Sequence, residues 1–384
     1  MTSPAPPTLA SLLEPSLDGA AVEQRLLWRC ARVAPTAATL AEIRALGDTL
    51  DADGWERLAA QARRDGVENL LFTQVAAAGL LPTLPALVVE RLRERFGAIV
   101  VQARTLELRL ERLLPQLAAA GVAVIPLKGV GLARRAYGDD LRLRPVTDID
   151  LLVRPGEFAR WAAVAQAAGF APLARRGDPL GGHALRFREA QFLSADGLLL
   201  EAHLTLCRLP AYRRAFADAA IWRRARPATL HGVATLTLAL EDELRYLSLH
   251  YAALHGASRL IWLVDVAELL RARGAEVDWE RLVDDSIAWR AAAPLVITLQ
   301  RAVTLLDAPA PPWALARLRA AALTRPERQA WRAAQITMAD PRRFLAQTQA
   351  LDRPVERLLL LRSGGAALMR RLPGFAHAWR RSRP

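Results

Sequence analysis

The feature that most constrains this chain is a change of hydrophobic period at Gly121. Before it, from about residue 21 to residue 120, apolar residues recur three or four apart, as in WERLAAQARRDGVENLLF and ERLRERFGAIVVQARTLELRLERLL, the spacing of helices that bury one face. After it, VAVIPL is short and β-branched, VGLARRAY reads as a helix, and TDIDLLV is again strand-like. PGEFARWAAVAQAAGF opens on Pro155 and closes on Gly169, the asymmetry of a helix. In ALRFREAQFLSADGLLLEAHLTL two strand-like runs meet at Asp196–Gly197, a pair that favours a tight turn. Helical spacing returns from about Leu238, in two helices broken near Gly256. These patterns predict an α+β chain: a small mixed-sheet core over residues 101–237, an N-terminal helical region over residues 1–100, and a C-terminal helical region over residues 238–384 that ends in a basic tail.

The strand TDIDLLV carries the chemistry. Side chains alternate along a strand, so Asp148 and Asp150 share one face while Ile149 and Leu151 take the other. Two neighbouring carboxylates repel unless a cation lies between them, and a hard divalent ion such as Mg²⁺ or Mn²⁺ supplies it through oxygen ligands. Glu201, in the strand-like LLLEAHL just past the hairpin turn, is the candidate third carboxylate, and His203 faces the same way. Gly129 stands between a strand and a helix, where backbone amides can approach phosphate. Lys128, beside it, is the only lysine among the 52 Lys and Arg residues, and adds a compact positive charge at that turn.

Two other phosphate-binding patterns fail. GVGLAR places Arg134 where a dinucleotide fold needs a small residue, and no acidic strand end follows at the ribose-binding distance. No G-x-x-x-x-G-K-[ST] loop occurs.

The order L-K-G, a helix ending in Tyr137, Arg144 four residues before D-I-D-L-L-V, and E-x-H on a later strand resembles the nucleotidyltransferases of the polymerase-β superfamily, most closely bacterial proteins of the NTP_transf_5 type. The helical stretches WERLAAQARRDGVENLLF and LEDELRYLSLHYAALHGASRLIWLVDVAELL look like parts of the same pattern. The resemblance implies a nucleotidyltransferase core in which Asp148 and Asp150 hold metal that bridges a nucleoside triphosphate, and Glu201 acts as a third ligand or as the base. It implies phosphate contacts at Lys128, Gly129 and Arg144, with His203 beside the nucleotide. Gly129 is followed by Val130 where the superfamily turn has Gly or Ser, a departure that leaves the phosphate contact to the Gly129 amide region and Lys128. The implied reaction is attack of an acceptor hydroxyl, on a small molecule or a protein, at the α-phosphorus of an NTP, with pyrophosphate leaving. The alternatives are an inactive nucleotide-binding or interaction protein of this fold, and an RNA-directed enzyme.

Composition adds bounds. The formal charge of +13 in 384 residues, with seven Arg and no carboxylate side chain over residues 357–384, would suit a polyanion, but it also suits a solvated basic surface in an arginine-rich background, and nucleic acid is not the favoured partner. The N-terminus lacks a signal-peptide pattern, and no window approaches the roughly 18 apolar residues of a membrane span. Cys30 and Cys207 have no metal-type spacing, so a reduced, cytoplasmic setting is expected. His250 and His255 lie five apart, off a common α-helical face, and are read as structural or nucleotide-flanking. Asp265 interrupts an apolar helix and is expected to bond to the core or to another helix; Tyr137 and Arg142 are weaker candidates, and the helically spaced tryptophans are expected to pack in the core.

Overall fold

A computed structural model of the chain describes residues 12–138, 140–173, 189–207 and 209–335. The basic tail and the first residues of ALRFRE lie outside these described residues.

Helices α1 (Val22–Cys30), α2 (Ala37–Gly47), α3 (Ala52–Asp65) and α4 (Glu68–Ala77) precede one long helix, α5 (Ala86–Ala119). At 34 residues α5 is about 50 Å long. Strand β1 (Val124–Pro126), helix α6 (Lys128–Ala136), strand β2 (Asp148–Val153), helix α7 (Phe158–Ala167), β3 (Phe170–Pro172), β4 (Glu189–Ser194) and β5 (Leu199–His203) form the α/β unit. The sheet runs β1-β2-β5-β4-β3, with β2 and β5 parallel and the other neighbours antiparallel, so it is mixed as expected. The turn at Asp196–Gly197 joins β4 to β5, and Gly197 takes a φ of 85° that a side chain would resist.

Because side chains alternate, the sheet has a largely apolar back and a mixed front. Ile149, Leu151, Val153, Leu200, Ala202 and Phe192 point to the back, against Trp161 of α7 and Leu106, Leu110, Leu113 and Leu117 of α5. Trp161 is fully buried and meets Phe192 edge-on, with centroids 5.1 Å apart. Losing such a buried indole costs about 3–5 kcal/mol.

The remaining helices are α8 (Asp218–Arg224), α9 (Leu240–Ser248), a π-helical turn (Leu249–Leu254), α10 (Leu260–Arg273), α11 (Trp279–Ala288), α12 (Ala292–Leu306), α13 (Pro312–Ala322) and α14 (Arg325–Gln335). A second hairpin, β6 (Arg226–Leu230) with β7 (Val233–Thr237), turns at His231 and Gly232, both at positive φ. Such a pair of positive φ values is what a tight two-residue hairpin requires.

The helices before and after the sheet share one core rather than two. Leu26, Leu58 and Leu70 from the N-terminal side join Leu244, Val264, Val296 and Leu299 from the C-terminal side in a single apolar cluster. That cluster also takes Ile125, Leu127 and Leu152 from the front of the sheet. The expected boundary near residue 100 falls inside α5, whose Val88 and Leu92 belong to this cluster while Leu106 to Leu117 belong to the one behind the sheet.

Candidate active site

The front of the sheet carries the acidic site, at the seam between the two cores. Parallel pairing sets Asp150 opposite Glu201, and antiparallel pairing sets Glu201 opposite Gln191 and His203 opposite Glu189. All of these therefore point to one side. Asp150 is 2% exposed and Glu201 8% exposed, so neither charge is left to water.

His203 Nε2 lies 2.6 Å from Asp150 Oδ1 and 3.3 Å from Glu201 Oε2. Burial works against charging this imidazole, but the hydrogen bonds to Asp150 and Glu201 outweigh it and hold its pKa up at about 9. At neutral pH His203 thus donates its Nε2 proton to both carboxylates, and the same nitrogen would become a metal ligand only once that proton is displaced. Gln191 donates from Nε2 to Glu201 Oε1 at 2.6 Å and fixes that carboxylate's orientation.

Lys128 reaches the other Asp150 oxygen, Nζ to Oδ2 at 3.1 Å, and hydrogen-bonds Tyr246 of α9. Its position follows from the backbone. The Leu127 N–H donates to the Asp150 carbonyl at 2.9 Å, so the chain leaving β1 is tied to β2 at the level of that aspartate, and α6 begins there. Lys128 pays for this entry with a φ of 45°, in the left-handed region, a strain common where function dictates geometry. Burial opposes its charge, yet Tyr246 and the carboxylates of Asp150 and Asp148 keep its pKa above the usual lysine range. Asp150 is pushed up by burial but drawn well below the carboxylate range by His203 and Lys128. Asp148 moves the other way, raised by burial and then by Asp150 and Glu201 more than Lys128 lowers it.

Gly129 follows directly in α6, and its lack of a side chain is a packing requirement: a Cβ there would stand 2.7 Å from Val146 Cγ2. Two positions on, a Cβ at Gly131 would stand 2.3 Å from the Pro126 carbonyl oxygen. The two glycines let α6 lie close against β1 and the segment leading into β2.

The donor set fits a divalent metal. Asp150, Glu201 and His203 each offer a ligand atom, all within 4.8 Å of one another, and Asp148 stands two residues before Asp150 on the same face. Carboxylate oxygens are the hard donors that Mg²⁺ or Mn²⁺ prefers. The closest group of donors contains His203 in the place where the sequence suggested Asp148.

Arg144, expected at phosphate, is not brought into this cluster. It is 7% exposed, donates from Nε and Nη2 to the two oxygens of Asp265 at 2.6 and 2.8 Å, and from Nη1 to the Pro145 carbonyl at 2.6 Å. Each of its three nitrogens thus donates one hydrogen bond within the protein. Tyr137 donates to the same Asp265 oxygen at 2.8 Å, so Asp265 ties α10 to both ends of the segment running from α6 to β2. Arg142 is exposed and pairs with Asp140.

His250 and His255 do meet, contrary to the α-helical reading. His250 lies in the π-helical turn, whose backbone bonds reach five residues along, and His255 caps it; their ring centroids are 4.5 Å apart, with Trp262 at 5.0 and 4.3 Å. Burial, reinforced by Lys128 and His255, holds His250 well below the usual histidine pKa, so it is neutral. Tyr246 and Gln191 were not anticipated. Gln191 could have been found by counting back across the Asp196–Gly197 turn from Glu201; Tyr246 depends on how α9 docks, and nothing local marks it.

The mixed sheet thus bears a buried carboxylate pair, with a glycine-containing helix start at its edge. The model of the NTP_transf_5 family, uncharacterised nucleotidyltransferases, matches residues 51–307, more than half of the chain, and the chain belongs to this family. Membership supports a general NTP-transfer function. No curated protein matches the chain. Among the described residues no helix is long and apolar enough to cross a membrane.

Proposed function

We propose that the protein is a metal-dependent nucleotidyltransferase that moves a nucleoside monophosphate from an NTP to an acceptor hydroxyl and releases pyrophosphate. One observation carries the reading: Asp150, Glu201 and His203 converge within 4.8 Å on a buried sheet face, beside Asp148 and the only lysine of the chain. Asp148, Asp150 and Glu201 would hold the divalent ion, which when bound supplies positive charge to the triphosphate and lowers the acceptor's pKa.

The chain's own residues do the rest. Lys128 places an ammonium at the start of α6, where unbonded amides and the helix dipole also favour an anion, so the leaving phosphates lie against a preformed positive surface. His203, protonated at neutral pH, orients Asp150 and Glu201 through its Nε2–H. Gln191 holds Glu201 so that its second oxygen is directed at the shared site, as ligand or base. Arg144 acts by positioning: its pair with Asp265 ties the segment before β2 to α10. The α/β core of residues 101–237 supplies these groups, and the flanking helical regions supply Tyr246 and the walls around them. The two buried free cysteines support a cytoplasmic setting.

An RNA-directed role has less support, because exposed arginines such as Arg57, Arg91 and Arg317 each pair with a carboxylate. The test is incubation of the full chain with each α-labelled NTP and Mg²⁺ or Mn²⁺, beside the Asp148→Ala/Asp150→Ala variant. Metal-dependent pyrophosphate release that the variant loses is expected. Release that persists in the variant would overturn the metal site, and nucleotide binding without release would favour the inactive binding protein.

A further inference from the structure

A cavity of about 470 Å³ lies between α6, the β6–β7 hairpin and the start of α9. It contains none of Asp148, Asp150, Glu201, His203 and Lys128, and its size suits a small organic molecule. In the hairpin register Arg226 pairs with Thr237 and Ala228 with Thr235, so Arg226, Thr235 and Thr237 stand on one face of the ribbon, and all three line the cavity. Arg134 and Arg135 line the cavity from α6.

The wall is cationic on balance. Four arginines reach it, Arg134, Arg135, Arg226 and Arg273, against two carboxylates, Glu241 and Glu276. Both carboxylates are engaged, Glu276 by Arg273 and Glu241 by the Asp278 N–H at 3.0 Å. Arg135 is held by Glu243 and by the Thr237 hydroxyl at 2.8 Å. Arg226 is exposed, and its side chain has no ion-pair or hydrogen-bond partner among the described residues.

We propose that this cavity is a second binding site, for a small organic anion carrying a phosphate or carboxylate group that Arg226 meets while the threonine hydroxyls bond the rest of the molecule. A cationic wall with fixed hydroxyls selects for charge and polarity together. The site stands apart from the carboxylate cluster but shares its scaffold. Arg135 is seven residues, about 10 Å, along α6 from Lys128, and β7 leads directly into α9, which carries Tyr246.

The experiment is calorimetric titration of the full chain, in metal-free buffer, with glucose 6-phosphate and with citrate, and with glucose as the neutral control. At least one anion is expected to bind and glucose is not. Arg226→Ala should weaken the binding about ten-fold, the loss of one charge-assisted hydrogen bond, Arg226→Lys should restore part of it, and Asp150→Asn should leave it unchanged. The proposal is overturned if neither anion binds at millimolar concentration, if glucose binds as well, if Arg226→Ala binds like the wild type, or if Asp150→Asn abolishes the binding. The last result would assign the anion to the carboxylate cluster, while the proposed transferase reaction stands or falls separately on pyrophosphate release.

Discussion

Removing the carboxylate of Asp265 tests whether Arg144 contacts phosphate or holds the fold. Asp265 is 1% exposed and receives three hydrogen bonds, two from Arg144 and one from Tyr137. In Asp265→Leu the Arg144 guanidinium keeps only its bond to the Pro145 carbonyl, and the Tyr137 hydroxyl loses its acceptor. Leaving one partner of a buried ion pair uncompensated costs about 3–5 kcal/mol. The double variant Arg144→Met/Asp265→Leu removes both charges and should recover most of that loss, because a buried pair stabilises little beyond an apolar replacement. Urea unfolding followed by circular dichroism reads both, with the midpoint of Asp265→Leu far below wild type and that of the double variant between them. The same proteins assayed for pyrophosphate release separate the roles. If Asp265→Leu unfolds within about 1 kcal/mol of wild type, or if Arg144→Met raises the KM for NTP without any change in stability, the positioning role is wrong and Arg144 belongs at the phosphate.

Three further outcomes are expected. Burial pushes the Glu327 carboxyl up to about 7, against the N–H groups of Ala292 and Ala293 that cap α12 through it. The folded state then keeps a proton that the unfolded state loses near 4.5, so the contribution is full below that value and fades as pH rises through about 7, by about 3 kcal/mol in all; the stability difference between wild type and Glu327→Gln should change across that window, and a flat difference refutes it. Lys128→Gly relieves the positive φ while Lys128→Ala keeps the strain, so the two should differ in stability by about 1 kcal/mol, glycine the better, with transfer activity lost in both; equal unfolding midpoints would remove the strain argument. Gly129→Ala puts a Cβ 2.7 Å from Val146 Cγ2 and should cost about 1–3 kcal/mol, much of it regained by Val146→Ala in the same protein; a single variant as stable as wild type counts against the close packing of α6.

What the sequence determined by itself is whatever depends on local geometry. The two-residue alternation of TDIDLLV puts Asp148 and Asp150 on one face in any strand, Asp196–Gly197 makes a hairpin turn because a glycine tolerates its positive φ, and Gly121 ends helical spacing where α5 stops. The α+β class and the mixed sheet followed from those elements. The tertiary structure decided what depends on pairing and docking between distant segments. Parallel register sets Glu201 beside Asp150, and it could have slipped without changing the pattern of either strand. Arg144 found its partner 121 residues away, where burial leaves a guanidinium no acceptor so well matched as Asp265. His250 and His255 meet because the helix widens to a π turn, which periodicity assumed for an α-helix cannot foresee. The two helical ends join one core because neither has enough apolar partners in its own stretch, and that shared burial carries Tyr246 to Lys128.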